Sequence, residues 1–283
     1  MPPPRHRLVY ENFMLLRYNA LGGEEMPTIA YRLRLFNKTG PMWEDAHLGI
    51  RLHPGVSLAQ TRLGVTAVFK PVGLFSLYGG YYYNIWYGSF GNLRSYSSPA
   101  SEYFVPDDFN GVEGAVDSVG HEALVGARVV AAVGPFVFSN NIAFYWTRMN
   151  LRDGDRYYFQ PRHDMLVENN GWFFTNDTDV GFISPVGLTA AARLSLVHAF
   201  YDKAELSDAE KKAAQLTTPT IRLGPLLSYV FFDAPQARFN KPTLIFMCSW
   251  WLRNRYRTGD SVHQGIPLLV LAFKFEGDIW WRD

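Results

Sequence analysis

The chain has 283 residues, of which 48% are hydrophobic, 16% aromatic and 19% charged, enough for one large domain. Its 27 basic and 26 acidic residues leave a net charge of +1, which argues against nucleic acid as the main partner. The lone Cys248 excludes an intrachain disulfide and a thiolate metal cluster, and no stretch approaches the roughly 18–20 consecutive apolar residues of a membrane helix.

Segments of alternating polarity run the length of the chain. Residues 8–18 and 28–36 flank Leu21-Gly22-Gly23-Glu24-Glu25, and 46–53 and 57–69 flank a tight His53-Pro54-Gly55. Over 60–87 the pattern is cleanest. Leu63, Val65, Ala67 and Phe69 alternate with Arg62, Gly64, Thr66 and Val68, then Lys70-Pro71-Val72-Gly73 turns into Phe75, Leu77, Gly79, Tyr81, Tyr83, Ile85 and Tyr87 on one parity. Period-two alternation sorts these residues onto two sheet faces, and the apolar face is aliphatic at one end and aromatic at the other. Further strands are predicted over 121–133, 136–149, 172–183, 188–201, 220–232, 243–256 and 266–279. The total is about twelve, or fourteen if Gly224-Pro225 is a turn rather than an interruption. Segment 157–167 alternates weakly, as a strand or as part of an external loop.

Two kinds of connection join the segments. Short Pro-Gly turns at 71–73, 134–135 and 185–187 are predicted on the side of the termini, with the longer connections opposite. The insert 88–120, rich in Ser, Gly, Asn, Asp and aromatics, is long enough to fold over a mouth. Ser207-Asp208-Ala209-Glu210 is a capping box that predicts a short helix around 207–215. The whole of 1–283 is expected to form a single domain. Met1-Pro2-Pro3-Pro4-Arg5-His6-Arg7 lacks the apolar core of a secretory signal. An exported barrel needs one, so a mature form with an added Met is expected.

Charged residues fall repeatedly on the parity opposite to the aliphatics. Arg32 and Arg34 oppose Leu33 and Leu35, and Arg51 opposes Ile50 and Leu52. Glu122 and Arg128 oppose Ala123, Val125 and Val129, and Arg193 opposes Leu194. Arg222 opposes Leu223, Arg253 and Arg255 oppose Trp250, and Lys274 and Glu276 oppose Phe273 and Phe275. A basic side chain on the lipid face of a barrel at mid-bilayer costs roughly 2–4 kcal/mol, so this segregation is what lipid demands. The segment at 8–18 is less clean, because Glu11 and Arg17 share a parity with Val9, Phe13 and Leu15.

With aliphatics toward lipid, the interior holds Arg32, Arg34, Arg51, Arg62, Arg128, Arg193, Arg222, Arg253, Arg255 and Lys274. These outweigh the counter-charges Glu122, Asp177, Asp179 and Glu276. Such a lumen favours anions. The alternative is that Arg and Glu pair across a narrow lumen and close it. No cofactor is expected. Asn176-Asp177-Thr178-Asp179 lacks the spacing and glycine of a calcium loop and fits a salt bridge or turn better, and His121, His198 and His263 lack ligand spacing.

The alternating strands, the two Pro-Val-Gly turns at 71–73 and 185–187, the aromatic strand ends and the run from Phe273 to Trp281 resemble bacterial outer-membrane β-barrels of the porin-like class. The resemblance covers nearly the whole chain. It implies an antiparallel up-and-down transmembrane barrel in a bacterial outer membrane, whose partners are the bilayer and small polar or anionic solutes. Barrels of this class tend to end on an aromatic residue, whereas here Arg282 and Asp283 follow Trp281. His163-Asp164 and Glu168-Asn169-Asn170-Gly171 faintly resemble the histidine stretch of the outer-membrane phospholipase. No serine lies between His163 and Ser184 to serve as nucleophile, so a hydrolase is disfavoured. A closed barrel serving assembly or anchoring, and a soluble carbohydrate-binding β-protein, are the remaining alternatives.

Overall fold

The computed structural model describes residues 3–19, 22–88, 93–101, 115–204, 206–255, 257 and 265–283. Its elements in chain order are β1 (His6–Tyr18), β2 (Gly22–Arg34), β3 (His47–Ser57), β4 (Gln60–Val72), β5 (Phe75–Tyr87), β6 (Ser95–Tyr96), β7 (Asp117–Val133), β8 (Phe136–Met149), β9 (Tyr157–Gln160), β10 (Met165–Glu168), β11 (Gly171–Ile183), β12 (Leu188–Ala199), α1 (Asp208–Thr217), β13 (Thr220–Val230), β14 (Asn240–Arg253) and β15 (Leu268–Arg282). All strands but β6, β9 and β10 form one closed antiparallel barrel in the order β1-β15-β14-β13-β12-β11-β8-β7-β5-β4-β3-β2. The ring is sealed by thirteen residue pairs between the first strand and the last, from His6↔Arg282 to Tyr18↔Leu269. The remaining three strands make a small separate sheet, β10-β9-β6.

The expected alternation is realised around the wall. Leu16, Ile50, Leu63, Val65, Val125, Leu194, Leu223, Phe246 and Leu271 are exposed on the outer face. Aromatic residues form two rims: Tyr18, Tyr87, Trp172 and Trp250 toward the long connections, and Phe69, Phe138, Phe182 and Tyr229 toward the termini. A continuous belt of exposed aliphatics between aromatic rims is unstable in water and matches a bilayer. On β1 the ambiguous parity resolves: Met14, Leu16 and Tyr18 face outward, while Glu11, Phe13 and Arg17 face in.

Several boundaries differ from expectation. β3 runs through Pro54-Gly55 to Ser57 and turns only at Leu58 and Ala59. Pro54 lies opposite Pro27, in a gap of the β2–β3 ladder between Ile29↔Leu52 and Glu25↔Val56, so both missing donors fall at one place. Gly224-Pro225 is likewise inside β13, so the barrel has twelve strands and not fourteen. These two residues interrupt the ladder to β14 but pair fully with β12. A Cβ at Gly224 would sit 1.8 Å from the Cys248 carbonyl oxygen, which is why glycine occupies that position. Gly22–Glu25, expected as a turn, opens β2. Within the insert 88–120, residues 89–92 and 102–114 lie outside the described residues; β6 forms in its described part, and β7 already begins at Asp117. α1 carries the full capping box between Ser207 and Glu210.

Placing a charge on the belt tests the orientation of the wall. Leu271→Arg is expected to lower stability by about 2–4 kcal/mol in urea unfolding from lipid vesicles, whereas Leu271→Phe leaves it within about 1 kcal/mol.

Candidate functional site: a basic lumen with a hairpin across one end

Inward positions on β1 to β5, β7, β8 and β15 surround a cavity of about 880 Å³. It runs from Asp45, Gly73 and Pro235 in the terminal-side turns to Arg162 and His163 near the long connections. Arg32, Arg51, Arg62, Arg128, Glu122 and Glu276 line it, joined by Arg7, Lys70 and Lys241. Much of this charge is compensated. Arg32 bonds Glu11 and lies 3.5 Å from Glu276, and Arg51 lies 3.7 Å from Glu11. Arg62 pairs with Glu122 and stacks on the Tyr82 ring, 3.4 Å from its centroid. Arg7 holds Asp278 through two 2.9 Å hydrogen bonds.

Among the described residues, Arg128 on β7, Lys274 on β15 and Arg222 on β13 have no acidic partner within ion-pair distance, and Arg17 and Arg34 donate to backbone carbonyls. The strands of Arg128 and Lys274 lie six apart in the twelve-strand ring, on opposite walls. Like charges facing across a lumen are a natural seat for an anion.

The other expected lumen residues have different surroundings. Arg34 bonds the Pro3 carbonyl at the terminal-side mouth. Arg193 grips Asp179 with hydrogen bonds of 2.7 and 2.8 Å, and Asp177 accepts from Ser195 at 2.6 Å. Arg222 lies among Asp177, Asp164, Arg257 and Arg193. Arg253 and Arg255 lie at the loop end: Arg253 donates to the carbonyls of Gln215 and Thr218, and Arg255 to those of Pro99 and Ala100. They fasten connections rather than line the cavity.

The weakly alternating stretch 157–167 is a hairpin, β9 and β10, lodged in the loop-end lumen with every strand residue buried. Tyr158, Met165 and Val167 pack with Trp86, Met149, Phe173, Val197 and Ala199. Those wall residues are apolar side chains on inward parity, the one sequence signal that could have announced the hairpin. Its tip is held by charge. Arg17 donates to the Pro161 carbonyl at 2.9 Å, Arg162 pairs with Glu24, and Arg257 bonds Asp164 at 3.0 Å. Asn254 also donates to Asp164, at 3.1 Å. At the hairpin base Arg156 meets Glu168 at 3.2 Å, and Glu168 accepts from the Asp202 amide at 2.7 Å. In the sequence Arg17 shows only as an exception to the β1 pattern, and Asp164 and Glu168 only in a faint resemblance to another family; none signals that it holds a hairpin.

Alternating strands closed into a ring, apolar outside between aromatic rims and charged within, define a membrane-spanning β-barrel of the outer-membrane type. The expected division into short terminal-side turns and long opposite connections holds only in part, since 35–46 and 231–239 on the terminal side are long and 58–59 opposite is short. No protein-family model matches the chain, and no curated protein sequence matches it. Among solved structures, the KdgM porin is similar at 9% identity, with 96% of this chain and 99% of that one covered and a TM-score of 0.41. An outer membrane channel from Pseudomonas putida F1 is similar at 9% identity, 99% and 97% coverage and a TM-score of 0.43. Omp33 of Acinetobacter baumannii gives 11% identity, 97% and 98% coverage and a TM-score of 0.38. At that level the likeness adds nothing to what the barrel's own walls establish.

His163 sits between the rings of Tyr145 and Phe173, at centroid distances of 5.6 and 5.2 Å. Burial, then the charges of Arg162, Arg222, Arg62 and Arg17, press its pKa down to about 3. A histidine released from that setting returns to an ordinary value near 6.5, so below that pH the released form binds the extra proton and the seated hairpin loses stability. Protection of the 157–168 amides relative to their intrinsic exchange at each pH is expected to fall as pH drops from 7 toward 4. In His163→Phe that dependence should largely vanish.

Proposed function

We propose that this chain is a bacterial outer-membrane pore for small polar or anionic solutes, with the β9–β10 hairpin as its gate in the shut position. The basic excess on inward positions, with Arg128 lining the cavity and Lys274 on the opposite wall, both without an acidic partner among the described residues, is the observation that carries the anion preference. An anion entering from the terminal-side mouth exchanges part of its hydration for guanidinium and ammonium donors. Arg51 and Arg62, partly neutralised by Glu11 and Glu122, shape the wall on either side. Passage on to the loop end requires the hairpin tip to leave Glu24, Arg17 and Arg257. A barrel of this size has room for one such element, and a gate held by a few polar contacts over an apolar base swings as a unit.

The seated hairpin also favours a second reading, a closed barrel serving assembly or anchoring. Planar-bilayer recording of the full chain separates the two. Wild type is expected to open rarely and with anion preference. Arg162→Ala, which frees Glu24, should raise open probability about tenfold, the effect of losing one charge-assisted hydrogen bond. Arg128→Ala with Lys274→Ala should bring the anion-to-cation permeability ratio close to one. Silence in both wild type and Arg162→Ala would favour the closed barrel.

A further inference from the structure

The outer wall, which should be apolar between the aromatic rims, carries two polar clusters. Asn12 on β1 donates to Glu25 on β2 at 2.9 Å. Asn140 on β8 donates to Asn176 at 3.1 Å and to Thr178 at 2.8 Å, both on β11. Pairing fixes their outward direction: Met14, exposed, lies opposite Glu25, and exposed Leu194 lies opposite Thr178. Both clusters lie within the belt. Asn12 falls between Tyr10 and Tyr18, Asn140 between Phe138 and Phe144, and Asn176 and Thr178 between Phe174 and Phe182.

Neither cluster is satisfied by itself. The Asn12 Oδ1 is buried without a hydrogen-bond partner. Among the described residues Glu25 has no cation within ion-pair distance. Each asparagine amide has two N–H groups, and Asn176 Nδ2 makes a single 3.4 Å contact, to Asn140 Oδ1. One cluster therefore has spare acceptors and the other spare donors. Hydrocarbon supplies no water to either, and a carboxylate there is costly unless a partner arrives.

The positions are as informative as the chemistry. The β1–β2 seam and the β8–β11 seam lie six strands apart in a ring of twelve, on opposite walls. Two copies side by side and inserted in the same direction therefore turn one cluster toward the other. Val129 on β7 and Leu194 and Leu196 on β12 border the asparagine cluster, and Ala127 and Ala192 stand one outward position further along, small side chains that permit close approach in lipid. Pairing two Glu25 walls would instead set carboxylate against carboxylate.

We propose that a second copy of this chain docks laterally in the membrane, the Asn12–Glu25 wall of one copy against the Asn140–Asn176–Thr178 wall of the next. Because the two faces are diametrically opposed, the contact is head-to-tail and propagates into rows rather than closing as a pair. It is independent of whether the lumen conducts.

Disulfide trapping in reconstituted vesicles tests it, with Cys248→Ala as the background to remove the outward native thiol. Val56→Cys sits beside Glu25, and Ala192→Cys sits beside the asparagine cluster. Oxidising a mixture of the two single-site proteins is expected to give cross-linked dimer at about ten times the level of either protein alone. Adding Glu25→Leu, a side chain suited to lipid, should cut that yield about tenfold while the barrel still migrates as folded without heating. Equal cross-linking within either single-site sample would mean two-fold pairing, and no excess in the mixture would mean a solitary barrel. Either outcome overturns the proposal.

Discussion

Hydrocarbon offers a backbone amide nothing to bond, so a sheet that crosses it has to end where it began. That constraint falls on one ladder, between β1 and β15, whose residues lie more than two hundred and fifty positions apart in the chain. Everything else is arranged around a ring that must close. At the terminal end three connections are tight turns, while 35–46 and 231–239 are longer. At the opposite end 58–59 is short, and the longest connections do other work: β6, β9, β10 and α1 all arise from them.

The closed wall creates two solvents with opposite demands. Outside, large aliphatic and aromatic side chains stand exposed. Inside, Arg7, Arg32, Arg62 and Arg193 are tied to Asp278, Glu11, Glu122 and Asp179. Pairing rigidifies those side chains along the wall. Toward the loop end the inward parity changes character, with Trp86, Phe173 and Val197 replacing charge, and there the lumen takes in a hairpin. A polar section and a plugged section thus follow one another along a single bore, each dictated by which side chains the wall points inward.

Most of the barrel was legible in the sequence because a strand's side chains alternate strictly, and lipid tolerates few departures on its side. The alternation identified the twelve spans and the inward direction of Arg51, Arg62, Arg128 and Lys274. Prolines misled where a ladder gap, not a turn, absorbs them: Pro54 faces Pro27 across such a gap, and Pro225 keeps its β12 neighbour. The hairpin was not legible. Its strands are four residues each, too short for a periodic signal, and they are stabilised by Phe173 and Trp86 from distant strands. Arg253 and Arg255 read as lumen residues because parity was carried to the last residue of β14 and beyond it, where the side chains meet connections and not the cavity.

The tip of the hairpin is gripped by Arg17 from the first barrel strand and by Arg257, which follows β14 and precedes the last. Those two side chains come together only after the seam is sealed. A chain still waiting for its final strand would hold the hairpin by Glu24 and the apolar wall at its base, without the grip from both flanks of the seam. The hairpin is therefore fastened most firmly at the step that completes the ring.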